Sequence, residues 1–294
     1  MNTSEPIKEK VITRETVNRL SRDVRDLVKH PLYENGIYYA HDEEDILKGS
    51  AMIVGPSDTP YMGGFYYFLL DYPTDYPHTP PKVTYCTNGD DIRFNPNLYK
   101  DGRVCISLLN TWKGEQWTSC QTISTILLNL CMLLNDNPLL NEPGIDKTSP
   151  DCEIYKRIIA YKNVDIAILK MMKRTTPYYS SQFDLFEEYK QKHFWKNAAF
   201  FLRDLERKSH WKPVILQQRC FTMKVYLDHE KLYKEYRDYC LNHAEEAPAE
   251  LIPLLHAAAA AQAPVPTEPP PPSKKRVIKN TVVKKIDIKN THSV

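Results

Sequence analysis

The sequence predicts an α+β fold in which a four-stranded antiparallel meander sheet is flanked by helices and followed by an α-helical C-terminal extension. An amphipathic helical pattern comes first, and short strand-like runs separated by Gly and Pro turns come next. Helical periodicity returns only after a long irregular stretch. Strands and helices are thus segregated along the chain, which favours α+β over an alternating α/β arrangement.

The first helix is predicted from apolar residues that recur at three- and four-residue steps: Val17, Leu20, Val24, Leu27 and Val28. Arginine and lysine side chains occupy its other faces. The helix should end before His30-Pro31, because a residue that precedes proline disfavours the α region.

Strand-like runs follow this helix, with Gly55-Pro56 and Gly63-Gly64 as turns between them. The acidic run at residues 42–45 is interpreted as a solvated turn in the first connection. The predicted strands are Ile37–Ala40, Ser50–Val54, Phe65–Leu70 and Lys82–Tyr85.

Helical patterns resume at residues 123–134 and at residues 151–173. Residues 178–240 are rich in aromatic side chains, and Phe183, Phe186 and Phe194 keep a rough helical spacing. We interpret this segment as two or three helices that pack on the main domain, with Cys220 and Cys240 inside them. Aromatic stripes of this kind are typical of core packing, and a binding groove is the alternative.

The composition changes near the end of the chain. Ala and Pro are abundant first, and Lys and Arg are abundant from residue 273 onward. A proline-rich segment favours extended backbone and acts as a semi-rigid spacer. We therefore divide the chain into four parts: a core domain at 9–172, a helical extension at 173–243, an Ala/Pro-rich linker at 244–272 and a basic disordered tail at 273–294.

Charge and cysteine usage exclude several classes of protein. The formal net charge is +2, yet residues 273–294 hold seven Lys or Arg and one acid, so the remaining body is net acidic and is a poor nucleic-acid-binding core. The seven cysteines include no Cys-x-x-Cys pair, which argues against zinc ribbons and disulfide scaffolds. With no apolar signal segment at the start and no run of about 20 apolar residues, we expect a cytoplasmic or nuclear protein without a membrane partner.

One cysteine has chemical surroundings that the other six lack. Cys105 follows Asn97 by eight residues, and the Asp101-Gly102 turn between them folds the chain back. An amide donor can therefore approach the thiol. Acyl transfer through a thioester needs a nucleophilic sulfur and a donor where the oxyanion forms. Lys100 and Arg103 would favour the thiolate.

Several motifs around this cysteine resemble those of the ubiquitin-conjugating (E2) enzymes, over about residues 9–172. Asn95-Pro96-Asn97 followed by Cys105 is similar to that family's His-Pro-Asn and active-site cysteine. The other matching segments are the strand–turn at 55–64, Tyr76-Pro77-His78-Thr79-Pro80-Pro81-Lys82-Val83, Trp117 and Asn137-Pro138. Residues 93–97, Thr111-Trp112 and 141–144 look like the helically extended E2 Z-like subgroup. The resemblance implies the UBC fold.

The resemblance also implies roles for individual residues. Cys105 would accept ubiquitin or a ubiquitin-like modifier from an activating enzyme (E1), and Asn97 would organise the loop and stabilise the oxyanion. Glu142 falls near the family's acid that positions the incoming lysine. The E1 would meet the first helix through Arg14, Arg22 and Arg25. No cofactor or metal is implied, because ATP is used by the E1 partner only.

Two departures from the family pattern concern the loops that contact ligases (E3). His78 stands where many members that work with RING ligases have a large apolar residue, and Thr118-Ser119-Cys120 replaces the usual Ser-Pro-Ala. Apolar anchors dominate such interfaces. Because His78, Ser119 and Cys120 stand at the expected contact positions, we expect ordinary RING ligases to bind weakly.

The same residues are compatible with two other functions. An inactive E2-like adaptor would bind ubiquitin or a ligase without chemistry, although intact Cys105 and Asn97 argue against it. A cysteine hydrolase would need a base and an orienting group near Cys105. Lys274, Lys275 and Arg276 fit a nuclear import or nucleic-acid contact signal, or a solubilising tail whose lysines are modified by the protein itself.

Overall fold

The structure, a computed structural model, describes residues 11–260. Residues 9–10 of the predicted core domain, the end of the predicted linker and the basic tail at 273–294 lie outside the described residues. The helices are α1 (Arg14–Lys29), α2 (Ile123–Leu133), α3 (Pro150–Lys162), α4 (Glu187–Ser209), α5 (His229–Asn242) and α6 (Ile252–Ala260), and the strands are β1 (Ile37–His41), β2 (Lys48–Val54), β3 (Phe65–Asp71), β4 (Lys82–Tyr85), β5 (Val214–Gln218) and β6 (Met223–Leu227). Within the described part of the chain, no helix is both long and apolar enough to span a bilayer.

Helix α1 begins where Thr13 caps it, since the Thr13 side chain accepts a hydrogen bond from the Thr16 N–H at 3.0 Å. Of the predicted apolar stripe, Leu20 and Leu27 are buried. Val17 and Val28 are 37% and 75% exposed, so the predicted stripe is too wide. The rest of the buried face is polar, with an ion pair between Arg19 and Asp23 at 2.8 Å.

The predicted four-stranded antiparallel sheet is confirmed, with the order β1-β2-β3-β4. Its side chains alternate between two faces, as the two-residue period of a strand requires. On one face Ile53, Tyr66 and Phe68 join a core that includes α2 and α3. On the other face Met52 and Tyr67 join a second core.

The second core is formed by the C-terminal extension. Helix α4 packs against this face of the sheet, with the Tyr189 ring 4.3 Å from that of Tyr38, and α5 packs on α4, burying Phe194 and Tyr236 with ring centroids 5.6 Å apart. Phe183 and Phe186 also lie in this core, 4.4 and 6.1 Å from the Tyr67 ring. The aromatic-rich segment thus covers the sheet, as core packing predicts.

The extension contains a hairpin that the sequence interpretation missed. Residues 214–227 form the antiparallel strands β5 and β6, where helices were expected. Cys220 lies in the exposed turn between them rather than in a helix. The reason is the alternation in β6, where Met223, Val225 and Leu227 are buried and the residues between them are exposed. The hairpin packs on the first core, whereas α4 and α5 pack on the second.

The predicted linker is wrong in its first part. Residues 244–260 are folded into two short 3₁₀ turns and helix α6. Leu251 and Leu255 are 4% and 1% exposed, within the second core. Burial of these two leucines stabilises the folded form of the segment. The Ala/Pro-rich composition predicts a linker because it does not take account of them.

Helix α3 continues through a π-helical stretch at Asn163–Lys170. Its first residue, Asn163, is buried and accepts a hydrogen bond from the Tyr66 hydroxyl at 2.6 Å while donating to Met62 O at 2.8 Å. A Cβ on Gly64 would lie 2.0 Å from Asn163 Oδ1, so this close approach requires glycine. The contact fastens the predicted 151–173 helix to the sheet.

Candidate active site

The segment from Asn95 to Cys105 folds back on itself beside β4. Isolated bridges pair Leu98 with Val104 and Arg103 with Thr84. The reversal depends on Gly102, which has φ +89 and whose carbonyl accepts from the Tyr85 N–H at 2.8 Å. A Cβ there would lie 3.1 Å from both Thr84 Cγ2 and Tyr85 O. The turn predicted from Asp101-Gly102 is therefore present, and it determines where Cys105 lies.

This reversal brings Asn97 and Cys105 together. The Cys105 N–H donates to Asn97 O at 2.9 Å, and Asn97 Nδ2 donates to Cys105 O at 2.7 Å. An amide nitrogen carries two hydrogens, so this hydrogen bond uses only one of them. Asn97 Oδ1 is buried and has no hydrogen-bond partner among residues 11–260.

Thr111 completes the surroundings of the thiol. Cys105 Sγ donates to Thr111 O at 3.0 Å, and Thr111 Oγ1 accepts from the Ile106 N–H at 2.9 Å and donates to Val104 O at 3.0 Å. The loop after Cys105 is thereby closed onto the residues that flank it. Thr111 lies in a segment that resembles the E2 Z-like subgroup, and nothing in the local sequence pattern predicts its contact with Cys105.

Burial and the neighbouring charges together shift the pKa of the Cys105 thiol upward. Burial raises the pKa of Cys105, and the hydrogen bond to Thr111 and the charges of Arg93 and Arg103 only partly oppose that rise. The Glu142 charge raises this pKa further.

Glu142 follows a 3₁₀ turn at Pro138–Asn141 and is half-buried. Its backbone N–H bonds to Leu139 O at 3.0 Å, which fixes where its side chain begins. Its charge also raises the pKa of Cys220, after the larger effect of burial. The charge of Glu142 therefore acts on both the Cys105 thiol and the Cys220 thiol in the β5–β6 turn.

The three arginines expected to meet an activating enzyme are exposed on α1: Arg14, Arg22 and Arg25. Arg19, by contrast, is buried, donating to Asp23 and to the backbone carbonyls of Ser119 and Gln121. The helix is thus fixed to the loop after Trp117 by one arginine, while the predicted contact residues face solvent.

The predicted ligase-contact loops are adjacent to each other. The Trp117 indole N–H donates to Pro77 O at 2.7 Å and joins the loop of His78 to the loop of Ser119 and Cys120. All three of these side chains are exposed, and His78 Nε2 lies 3.1 Å from Glu15 Oε2 on α1. The exposed surface that they form includes the polar pair of His78 and Glu15.

An open groove of about 870 Å³ runs beside the thiol. It is lined in part by Pro80, Pro81, Tyr99, Arg103, Cys105 and Trp112. Trp112 is 48% exposed at its rim. Within residues 11–260, no group of three or more His, Cys, Asp and Glu side chains could hold a metal ion.

Comparison with known proteins identifies this domain. A family model described as ubiquitin-conjugating enzyme matches residues 19–151. The ubiquitin-conjugating enzyme E2 Z of Xenopus tropicalis is 38% identical over 164 residues, covering 55% of this chain and 52% of that protein. The human dual E2 ubiquitin-conjugating enzyme/E3 ubiquitin-protein ligase BIRC6 is 36% identical over 187 residues, covering 58% of this chain and 4% of that protein.

A solved structure of human ubiquitin-conjugating enzyme E2 G1 is 31% identical, covers 42% of this chain and 97% of its own, and has a TM-score of 0.36. The chain spans about half the length of the E2 Z protein it matches. The matched residues 19–151 include Cys105, Asn97 and Glu142. The family match over residues 19–151, which hold the four-stranded sheet and helix α2, shows that this part of the chain belongs to the ubiquitin-conjugating enzyme family, with a resemblance to E2 Z.

Proposed function

We propose that this protein accepts ubiquitin, or a ubiquitin-like modifier, from an activating enzyme as a thioester on Cys105 and transfers it to substrate lysines or to a ligase. The reciprocal hydrogen bonds between Cys105 and Asn97, 2.9 and 2.7 Å long, carry this proposal. They hold an amide donor beside a nucleophilic sulfur, which is the pairing that acyl transfer requires.

The proposed reaction has two exchanges. The Cys105 thiol loses its proton, its sulfur attacks the thioester carbonyl on the activating enzyme, and that enzyme's cysteine leaves as a thiolate. A lysine amine then attacks the new thioester, loses a proton and forms an isopeptide bond as the Cys105 thiolate leaves. ATP is spent by the activating enzyme in this scheme, so no cofactor on this chain is needed.

The charges around the thiol suit the second exchange. Glu142 acts on Cys105 through its charge, and a half-buried carboxylate can orient an incoming ammonium group and favour loss of its proton. Asn97 would stabilise the oxyanion as the amine adds. We propose that Arg14, Arg22 and Arg25, all exposed on α1, meet an acidic surface of the activating enzyme.

The test is a thioester assay with activating enzyme, ATP, ubiquitin and this protein on a non-reducing gel. We expect an adduct that reductant removes from the wild type and that Cys105→Ala cannot form. Cys220→Ala is the matched control, because Cys220 is exposed near the same carboxylate yet is assigned no role. An adduct that survives in Cys105→Ala and disappears in Cys220→Ala would show that Cys220 carries the thioester, and it would contradict the proposal.

The alternative function is an inactive adaptor that binds ubiquitin or a ligase. It predicts no adduct with any pair of activating enzyme and modifier, together with measurable binding of ubiquitin or a ligase by the wild type. The exposed thiol-side groove and the intact Asn97 favour the enzyme.

We also propose that ordinary RING ligases bind this protein weakly. His78 is exposed and lies 3.1 Å from Glu15, so a polar pair stands where an apolar contact would be needed. A titration with a RING domain should show weak binding that strengthens in His78→Phe. Tight binding by the wild type would contradict the proposal.

A further inference from the structure

Arg93 holds the turn that precedes Asn97. Its guanidinium donates from Nε to Asn95 O at 3.2 Å and from Nη2 to Pro96 O at 2.5 Å. The same group lies 3.5 Å from the centroid of the Tyr99 ring. Asn97 in turn donates its backbone N–H to Asn95 Oδ1 at 2.9 Å. One side chain therefore fixes the two carbonyls immediately before the proposed oxyanion residue.

The other side of Arg93 is covered by the β5–β6 hairpin. Its guanidinium carbon lies 4.9 Å from the centroid of Phe221, and its backbone N–H donates to Met223 Sδ at 3.3 Å. Tyr155 on α3 closes the contact, donating its hydroxyl to Arg93 O at 2.7 Å with its ring 5.9 Å from Phe221. The C-terminal extension therefore reaches the active-site turn through Arg93.

We propose that Arg93 is a positioning residue for lysine transfer, and that Phe221 of the hairpin holds it in place. This inference rests on the proposed function of Cys105 and Asn97. Arginine suits the role because its planar fork presents several donors in fixed directions while its face stacks on aromatic rings, whereas lysine has a single ammonium group and no planar face. The extension thereby contributes to the chemistry as well as to the core.

The test compares Arg93→Lys, Phe221→Ala and the control Tyr226→Ala. Tyr226 is on the exposed face of the same hairpin, 57% exposed, so its truncation matches the loss of an aromatic ring without touching Arg93. Each variant is loaded with ubiquitin, the activating enzyme is stopped, and discharge to free lysine is followed as a function of lysine concentration, below the unfolding temperature of every variant.

We expect loading to persist and the maximal discharge rate to fall about ten- to a hundredfold in Arg93→Lys and Phe221→Ala, the scale of a misplaced reacting group. The lysine concentration for half-maximal rate should stay the same, and Tyr226→Ala should match the wild type. The double variant should be no slower than Arg93→Lys, since both changes act through one contact. Phe221→Leu provides a milder variant if Phe221→Ala unfolds.

A second readout does not depend on activity. Hydrogen exchange at the Cys105 amide, which donates to Asn97 O, should speed up in Arg93→Lys and not in Tyr226→Ala. Wild-type discharge rates and exchange in Arg93→Lys would overturn the inference and leave the proposed function standing. A wild type that forms no thioester would instead overturn the proposed function and, with it, the role of Arg93.

Discussion

Asn97 and Cys105 exchange two hydrogen bonds, one from the Cys105 N–H to Asn97 O at 2.9 Å and one from Asn97 Nδ2 to Cys105 O at 2.7 Å. The orientation of the amide is therefore set by its donor side. Its oxygen is buried and meets no partner among residues 11–260. A side chain with the same shape and no donor should therefore slow transfer to lysine.

Asn97→Asp is that substitution. It replaces a donor with a carboxylate oxygen that faces the Cys105 carbonyl, so discharge to lysine should slow by about 10²–10³, the usual cost of a lost oxyanion donor. Loading from the activating enzyme should persist, and single-turnover discharge of preloaded protein measures the difference. Asn129→Asp is the control, since Asn129 likewise donates to a backbone carbonyl, at 2.9 Å, but lies on α2. Equal slowing in both variants would contradict a local role for Asn97.

Alkylation of Cys105 by iodoacetamide should depend on pH in a direction set by its neighbours. Burial raises the pKa of this thiol, and the charge of Arg103 opposes the rise while that of Glu142 adds to it. Alkylation needs the thiolate, so the wild-type midpoint should lie above about 8.5, the ordinary value for cysteine.

The two charges can be removed separately. Arg103→Gln should move the alkylation midpoint to higher pH, and Glu142→Gln should move it to lower pH. Mass spectrometry of the peptide that carries Cys105 separates its reaction from those of the exposed Cys120 and Cys220. Shifts of the same sign in the two variants would show that these charges do not act on the thiol as described.

Gly102→Ala should destabilise the protein more than Gly144→Ala. Both glycines have positive φ, +89 and +81, so each pays the left-handed cost of about 1–2 kcal/mol. Only at Gly102 would the new Cβ lie 3.1 Å from Thr84 Cγ2 and Tyr85 O, whereas nothing lies within 4 Å at Gly144. The difference in unfolding free energy between the two variants, measured in urea, gives the cost of this contact. Equal free energies would show that β4 can move to accommodate the new Cβ without loss of stability.

Two buried tyrosines should respond differently to loss of the hydroxyl. Tyr76 donates to Asp23 Oδ2 at 2.7 Å, so Tyr76→Phe leaves a buried carboxylate short of a partner and should cost about 1–3 kcal/mol. The hydroxyl of Tyr236 is buried with no hydrogen-bond partner among residues 11–260, so Tyr236→Phe should be neutral or stabilising. Thermal unfolding of both variants checks this, and a larger loss in Tyr236→Phe would reverse the expectation.

The sequence was informative where a local pattern determines the structure. Turn residues and two-residue alternation predict the meander, and the Asp101-Gly102 turn predicts that Asn97 returns to Cys105. These signals are local because the hydrogen bonds involved span few residues. The roles carried over to Cys105, Asn97, Glu142 and the arginines of α1 stay predictions until activity is measured.

Contacts between distant segments could not be predicted in this way. Arg93 meets Phe221, 128 residues later, through packing of the hairpin on α3. The alternation of Met223, Val225 and Leu227 is a strand signal, yet it is short and surrounded by helical patterns rich in aromatics. Thr111 contacts Cys105 through its backbone carbonyl. Every residue type has this group, so the sequence does not predict the contact.

Two shortened chains test whether the folded segment at 244–260 stabilises the protein. A chain that ends at residue 243 loses Leu251 and Leu255, which are 4% and 1% exposed in the second core. Each buried leucine is worth about 1.5–3 kcal/mol, so this chain should lose about 3–6 kcal/mol of unfolding free energy, measured in urea. A chain that ends at residue 260 keeps both leucines and should unfold at the same urea concentration as the full chain. Equal midpoints for all three would show that residues 244–260 act as a linker after all.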